Sequence, residues 1–184
     1  MFKKLLKGVF ALGILFMLNN PAQAFYTDMN ENHWAYQSIK FLTEVGVVVG
    51  YPDGTYKPDI PVTRAEFASM AIKALGQEDA SVTQDIHFSD VDKSFWAYDI
   101  IRKAVYLIPD AEGQRFRPYE SVTRAEAITI AVNALTTQQI SEQRAQEIIE
   151  KSYEDYTQMP AWFLIAAGKA QLLDLIIVMP GNEG

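Results

Sequence analysis

The chain has 184 residues, of which 49% are hydrophobic and 12% aromatic, enough for a packed core and too apolar for a disordered segment. It carries 23 acidic against 16 basic residues, a net charge of −7 that makes nucleic acid a poor partner. It has no cysteine and two histidines, which leaves almost no material for disulfides, transition-metal sites or histidine-based catalysis, and no cofactor or metal is expected.

In chain order, residues 1–24 read as a signal peptide. "MFKKLLKG" supplies Lys3, Lys4 and Lys7, "VFALGILFML" is an apolar run too short to span a bilayer, and "NNPAQA" ends in the A-x-A pattern of a cleavage site before Phe25. Its removal takes three lysines and no acid, leaving 13 basic and 23 acidic residues and a net of −10. An anionic ligand would then have to be met by locally placed arginines, because the general field repels it. No later stretch reads as a membrane span. "LLDLIIVM", Leu172 to Met179, is short and interrupted by Asp174, so it reads as core.

The remainder repeats itself. "YTD" at Tyr26 returns as "FSD" at Phe88 and "YED" at Tyr153, each followed by a tryptophan: Trp34, Trp96 and Trp162. An amphipathic stretch comes next, with Ala35, Ile39, Leu42 and Val45 or Gly46 on one helical face in the first unit. "GYPDGTYKPD" then gives a tight turn, in which Pro52 fixes φ and Gly54 tolerates a positive one. The second unit keeps Gly113, Phe116 and Pro118 but has lost the Gly50-Tyr51 pair, and its turn is expected to be spaced one residue differently. The divisions expected are a first repeat at 25–78, a second at 86–138, a charged helical linker at 139–152 and a partial third repeat at 153–184. A stop within a repeat suggests that a last helix, or a cargo domain beyond it, is missing from this sequence. Strand content should be low, with short pieces at "VGVVVG" and before the threonines at most.

The second helix of each unit opens identically: "VTRAEFASMAIKAL" from Val62 and "VTRAEAITIAVNAL" from Val122. Thr63 with Glu66, and Thr123 with Glu126, fit the capping box. Phe67, Met70, Ala71, Ala74 and Leu75, and then Ala127, Ile130, Ala131, Ala134 and Leu135, form the expected apolar stripes. Stability does not explain Arg64 and Arg124. A cation at the first helical position faces the positive end of the helix dipole, at a cost of about 0.3–1 kcal/mol. An arginine beside free helix amides suits a carboxylate or phosphate, so ligand contact is the preferred reading, against an ion pair to an acid of the neighbouring unit.

These residues carry a resemblance. "HWAYQSIKFLTEVGVVVGYPDGTYKPDIPVTRAEFASMAIKAL" resembles the S-layer homology domain of bacterial cell-envelope proteins. The resemblance implies an all-α fold of helix–turn–helix repeats in a pseudo-threefold spindle, here with the third repeat incomplete. It also implies non-covalent anchoring to the cell wall by way of a wall polysaccharide, often bearing ketal-linked pyruvate, or peptidoglycan. Carried over, it marks Arg64, Arg124, Trp34, Trp96 and Trp162, and Gly54 with Asp53 of the same turn, as candidate ligand contacts. Thr63, Glu66, Thr123 and Glu126 support them as caps. One good groove is expected near Arg64, a weaker one near Arg124 and none in the third unit. The tryptophans could equally plug the ends of the core. Asp28, Asp90 and Asp155 read as capping or loop-bonding residues. No carboxylate pair is singled out for glycoside hydrolysis, so no catalysis is expected. The alternative is an assembly protein, self-associating or completed at its partial third repeat by a partner chain.

Overall fold

The structure is a computed structural model that describes residues 25–82, 85–109, 114–135 and 140–176. The expected signal peptide, Gly113 and the last eight residues, with the end of "LLDLIIVM", lie outside these. The chain divides after Pro58 into two compact units. The described residues are helical, without a strand, and no helix among them is long and apolar enough to cross a membrane.

The N-terminal unit is built on helix α1, Tyr36–Glu44. Ala35, Tyr36, Ile39 and Val48 are buried. Tyr26 packs its ring 5.2 Å from that of Tyr56 and shares a 3.1 Å hydrogen bond with Thr43. The helix ends where Gly46 turns to φ 77° and the Val47 N–H reaches back to the Leu42 carbonyl at 2.8 Å. That early exit leaves Val45, expected on the inner face, 53% exposed. In the following turn Tyr51 N–H donates to the Thr55 carbonyl and Gly54 N–H to the Tyr51 carbonyl, with Gly54 at φ 81°. Gly50 has no room for a side chain: a Cβ there would stand 2.1 Å from the Tyr26 ring and 2.6 Å from the Thr55 carbonyl oxygen.

The C-terminal unit contains α2 (Arg64–Ala74), α3 (Tyr98–Ala104) running into a 3-10 turn (Val105–Leu107), α4 (Arg124–Ala134), α5 (Glu142–Ser152) and α6 (Ala161–Leu172). Helix α2 packs on α3 and α4, α4 packs on α6, and α6 on α5. The second helix of one repeat is therefore paired with the first helix of the next. The core between them holds Ala65, Ala68, Ile72, Ile101, Leu107, Phe116 and Ile130.

The expected stripe on α2 is displaced by about a residue. Ala65, Ala68 and Ile72 are the fully buried positions, Phe67, Ala71 and Leu75 lie at the core's margin, and Ala74 is exposed. A helix covered on two sides buries more than one stripe, and here the most buried positions include Ala65 and Ala68. Helix α4 buries Ile130 as expected, together with Thr129 and Val132, which lie off the expected stripe.

The recurring aspartates hold the turns. Asp28 accepts from the Tyr56 and Lys57 N–H groups at 2.8 and 2.7 Å, and Asp90 from those of Phe116 and Arg117, both at 2.8 Å. Lys57 (φ 60°) and Arg117 (φ 62°) both occupy the left-handed region, which costs a non-glycine residue of order 1–3 kcal/mol. A carboxylate spanning two consecutive amides offsets that cost. The Tyr56 N–H, first of all, holds the Asp28 carboxyl below its usual range. At Asp90 burial pushes upward, and the two amides overcome it. The aspartates stand 62 residues apart and the left-handed residues 60, so the second turn is shorter by two residues, not displaced by one. The carbonyl matching Gly54 is that of Gln114: Thr27 N–H bonds the first at 2.9 Å, Ser89 N–H the second at 2.8 Å. We expect Asp90→Asn, with one acceptor oxygen for two donors, to lower stability by about 2 kcal/mol, read from the urea midpoint at unchanged slope.

Candidate functional site

Both predicted capping boxes are present. The Thr63 hydroxyl accepts from the Glu66 N–H, and Glu66 Oε2 accepts from the Thr63 N–H at 2.8 Å; Thr123 and Glu126 repeat this. The two helix starts also meet. Thr63 and Ser121 form an isolated antiparallel bridge, and the Val122 N–H donates to the Val62 carbonyl at 2.9 Å. This is the one place before the threonines where strand-like pairing occurs among the described residues.

Arg64 lies inside this junction and is only 6% exposed. Its Nη1 donates to Glu126 Oε1, its Nε donates to the Phe116 carbonyl at 2.7 Å, and its guanidinium carbon sits 5.2 Å from the Phe116 ring centroid. The helix amides beside it are also engaged, Arg64 N–H with the Glu120 carbonyl at 2.9 Å and Ala65 N–H with that of Pro118 at 3.2 Å. The groove expected near Arg64 is therefore filled by the second repeat. The arrangement is an ion pair to an acid of the neighbouring unit, the alternative to ligand contact. Its logic is local: the amides that would draw an anion draw carbonyls, and the cation draws a buried carboxylate.

Glu126 is the hub. One oxygen caps its own helix, and the other receives Arg64 and, at 3.3 Å, Arg117, which also reaches Glu120 at 3.4 Å. Burial pushes its carboxyl upward, but the Thr123 N–H and the Arg64 guanidinium pull harder and leave it below the ordinary glutamate range. Sequence reasoning assigned Glu126 to capping alone and missed both Arg117 and the Phe116 carbonyl. The pairing of an arginine at the first helical position with a glutamate at the third, present in both repeats, was the available signal.

Arg124 is different. It is exposed, and neither its guanidinium nor the N–H groups of Arg124 and Ala125 have a partner among the described residues. On the same unit Trp96 is 58% and Tyr119 76% exposed, both flanking Phe95: ring centroids lie 5.6 Å from Trp96 to Phe95 and 5.4 Å from Tyr119 to Phe95. Trp162 is 41% exposed. In the N-terminal unit Trp34 is 91% exposed, so it does not plug a core. Asp53 is tied up locally, accepting from Thr55 N–H at 3.0 Å and pairing with Lys57 at 3.3 Å. The structure thus joins Arg64, Thr123 and Glu126 in one cluster and leaves Arg124 and the tryptophans on the surface.

The described residues are thus all-helical, with two capped helix starts docked on each other and tryptophans on the surface, and residues 25–68 match the S-layer homology domain family. The chain carries an S-layer homology domain at residues 25–68. It is 38% identical over 120 residues to cell surface glycoprotein 1 of Acetivibrio thermocellus, covering 60% of this chain and 5% of that protein. It is 34% identical over 115 residues to the cellulosome-anchoring protein of the same organism, covering 60% and 26%. With exoglucanase XynX it shares 30% identity over 158 residues, covering 85% and 14%. The chain spans about a quarter or less of the length of these relatives.

Proposed function

We propose that the protein is a non-catalytic anchor, exported to the cell envelope, that binds an anionic wall polysaccharide, or peptidoglycan, through Arg124 and the exposed Trp96 of the same unit. The observation that carries this reading is the contrast between two identical helix starts. One has its arginine and amides buried against protein, and the other keeps both open to solvent. An arginine beside two unbonded helix amides suits a carboxylate on a sugar, and Trp96 offers an aromatic face for the C–H side of a sugar ring. Arg64 then acts as a structural residue that holds the site's scaffold. The relative named for cellulosome anchoring and the surface glycoprotein support the same role.

Sedimentation with purified wall sacculi, intact and stripped of secondary polymer, tests the reading. The wild-type protein is expected to pellet with intact sacculi, and Arg124→Ala to weaken the apparent affinity at least tenfold with an unchanged circular dichroism spectrum. Loss of pelleting on stripping identifies the polymer, and retention identifies peptidoglycan. Protein that stays in the supernatant with both preparations defeats the proposal.

A further inference from the structure

The residues Val62–Glu66 and Val122–Glu126 are the same five, VTRAE, folded the same way, and inside the chain one docks on the other. The docking uses opposite halves of each. The start of α2 contributes its arginine, its first two amides and the Val62 carbonyl; the start of α4 contributes its glutamate, the Glu120 carbonyl and the Val122 N–H, and the turn ahead of it adds the Phe116 and Pro118 carbonyls. Within residues 60–66 and 120–126, each start therefore retains what the other has used. Helix α4 keeps Arg124, the amides of Arg124 and Ala125, and the Val122 carbonyl without partners among the described residues. Helix α2 keeps Glu66 Oε1, the Ile60 carbonyl and the Val62 N–H without partners among them. The first set is a cation with donors beside it, the second a carboxylate with an acceptor beside it, and the known contact shows that such sets fit.

We propose that a second copy of this chain fills both, the α4 start of one molecule docking on the α2 start of the other through Arg124 and Glu66. The occupant is a second copy because the complementary surface is on this same chain and is equally unmatched. A reciprocal pairing of two molecules closes as a twofold dimer, and a head-to-tail pairing continues as a chain of copies. Either arrangement places the wall ligand and the second molecule in competition for Arg124.

Analytical ultracentrifugation of the processed protein tests this. Wild type is expected to self-associate with concentration. Arg124→Glu, and Glu66→Gln, which keeps a capping box, should each weaken self-association at least tenfold. Mixed in equal amounts, the two variants should associate again, because each supplies the half that the other lacks. A wild-type monomer throughout the concentration range overturns the proposal, as does association that neither variant alters. Pelleting with sacculi by a protein that stays monomeric in solution would leave the anchoring function standing and remove the dimer alone. Self-association without pelleting would do the reverse.

Discussion

Glu126→Gln is expected to lower stability by about 3 kcal/mol, the usual cost of leaving a buried charge without its counter-ion. Glutamine still serves a capping box, so the helix start survives and the loss falls on Arg64, 6% exposed and then facing a neutral amide. At about 2–4 °C per kcal/mol for a chain of this size, Tm should fall by about 6–12 °C. The pH dependence has a definite sign. The Glu126 carboxyl is lowered in the folded protein from an ordinary 4.5. Its contribution is therefore present above that pH and is lost as pH falls through the lowered folded value. The gap between wild type and variant should narrow progressively below about pH 4.5, read from urea midpoints across the range. The double variant Arg64→Met/Glu126→Gln, which removes both charges, should recover about 1–2 kcal/mol relative to Glu126→Gln. Equal stability of single and double variants would show that the pair is not coupled.

Gly168→Ala should also destabilise strongly, although glycine to alanine within a helix ordinarily stabilises by about 1 kcal/mol. Gly168 is buried on α6 where it crosses α5, and a Cβ there would lie 2.0 Å from the Ala145 carbonyl oxygen and 2.8 Å from its Cα. The obstacle is backbone, not a side chain that can swing aside, so the two helices must separate. Separation unpacks Ala145 and Ile149 of α5 from Ala166, Ala167 and Ala170 of α6. Overpacking of this kind costs about 1–3 kcal/mol or more. We expect a net loss of about 2 kcal/mol, with loss of amide-exchange protection concentrated in α5 and α6. A variant as stable as wild type would show that the crossing is looser than described.

Much of the fold was legible because its signals are local. Thr63 with Glu66 and Thr123 with Glu126 announce helix starts within four residues, and Pro52 with Gly54 announces a turn. The two-residue shortening of the second turn was not legible, since it depends on which carbonyl Ser89 finds, and that partner, Gln114, shares no side-chain feature with Gly54. Nor were the buried faces of α2 and α4, because burial depends on how many neighbours a helix has. At the candidate site the sequence marked both arginines and ranked Arg64 above Arg124 on the strength of its better-kept turn, a signal that says nothing of burial. Their difference arises at the junction of the two helix starts, where Arg64 has a glutamate from the following repeat and Arg124 has none among the described residues.

The packing of each second helix against the next repeat's first helix has a consequence for how such chains can be cut and joined. The compact unit that begins at Asp59 takes α2 away from the sequence repeat that encodes it. The compact unit is thus offset from the unit of sequence duplication by about half a period. A fragment ended at a repeat boundary, between α2 and α3, severs a packed pair and exposes Ala65, Ala68, Ile72 and Ile101 together. A fragment begun inside a repeat, ahead of Val62, keeps every such pair whole. Shuffling of these modules, in the laboratory or in evolution, should succeed at joints placed in the turns and fail at those placed in the linkers.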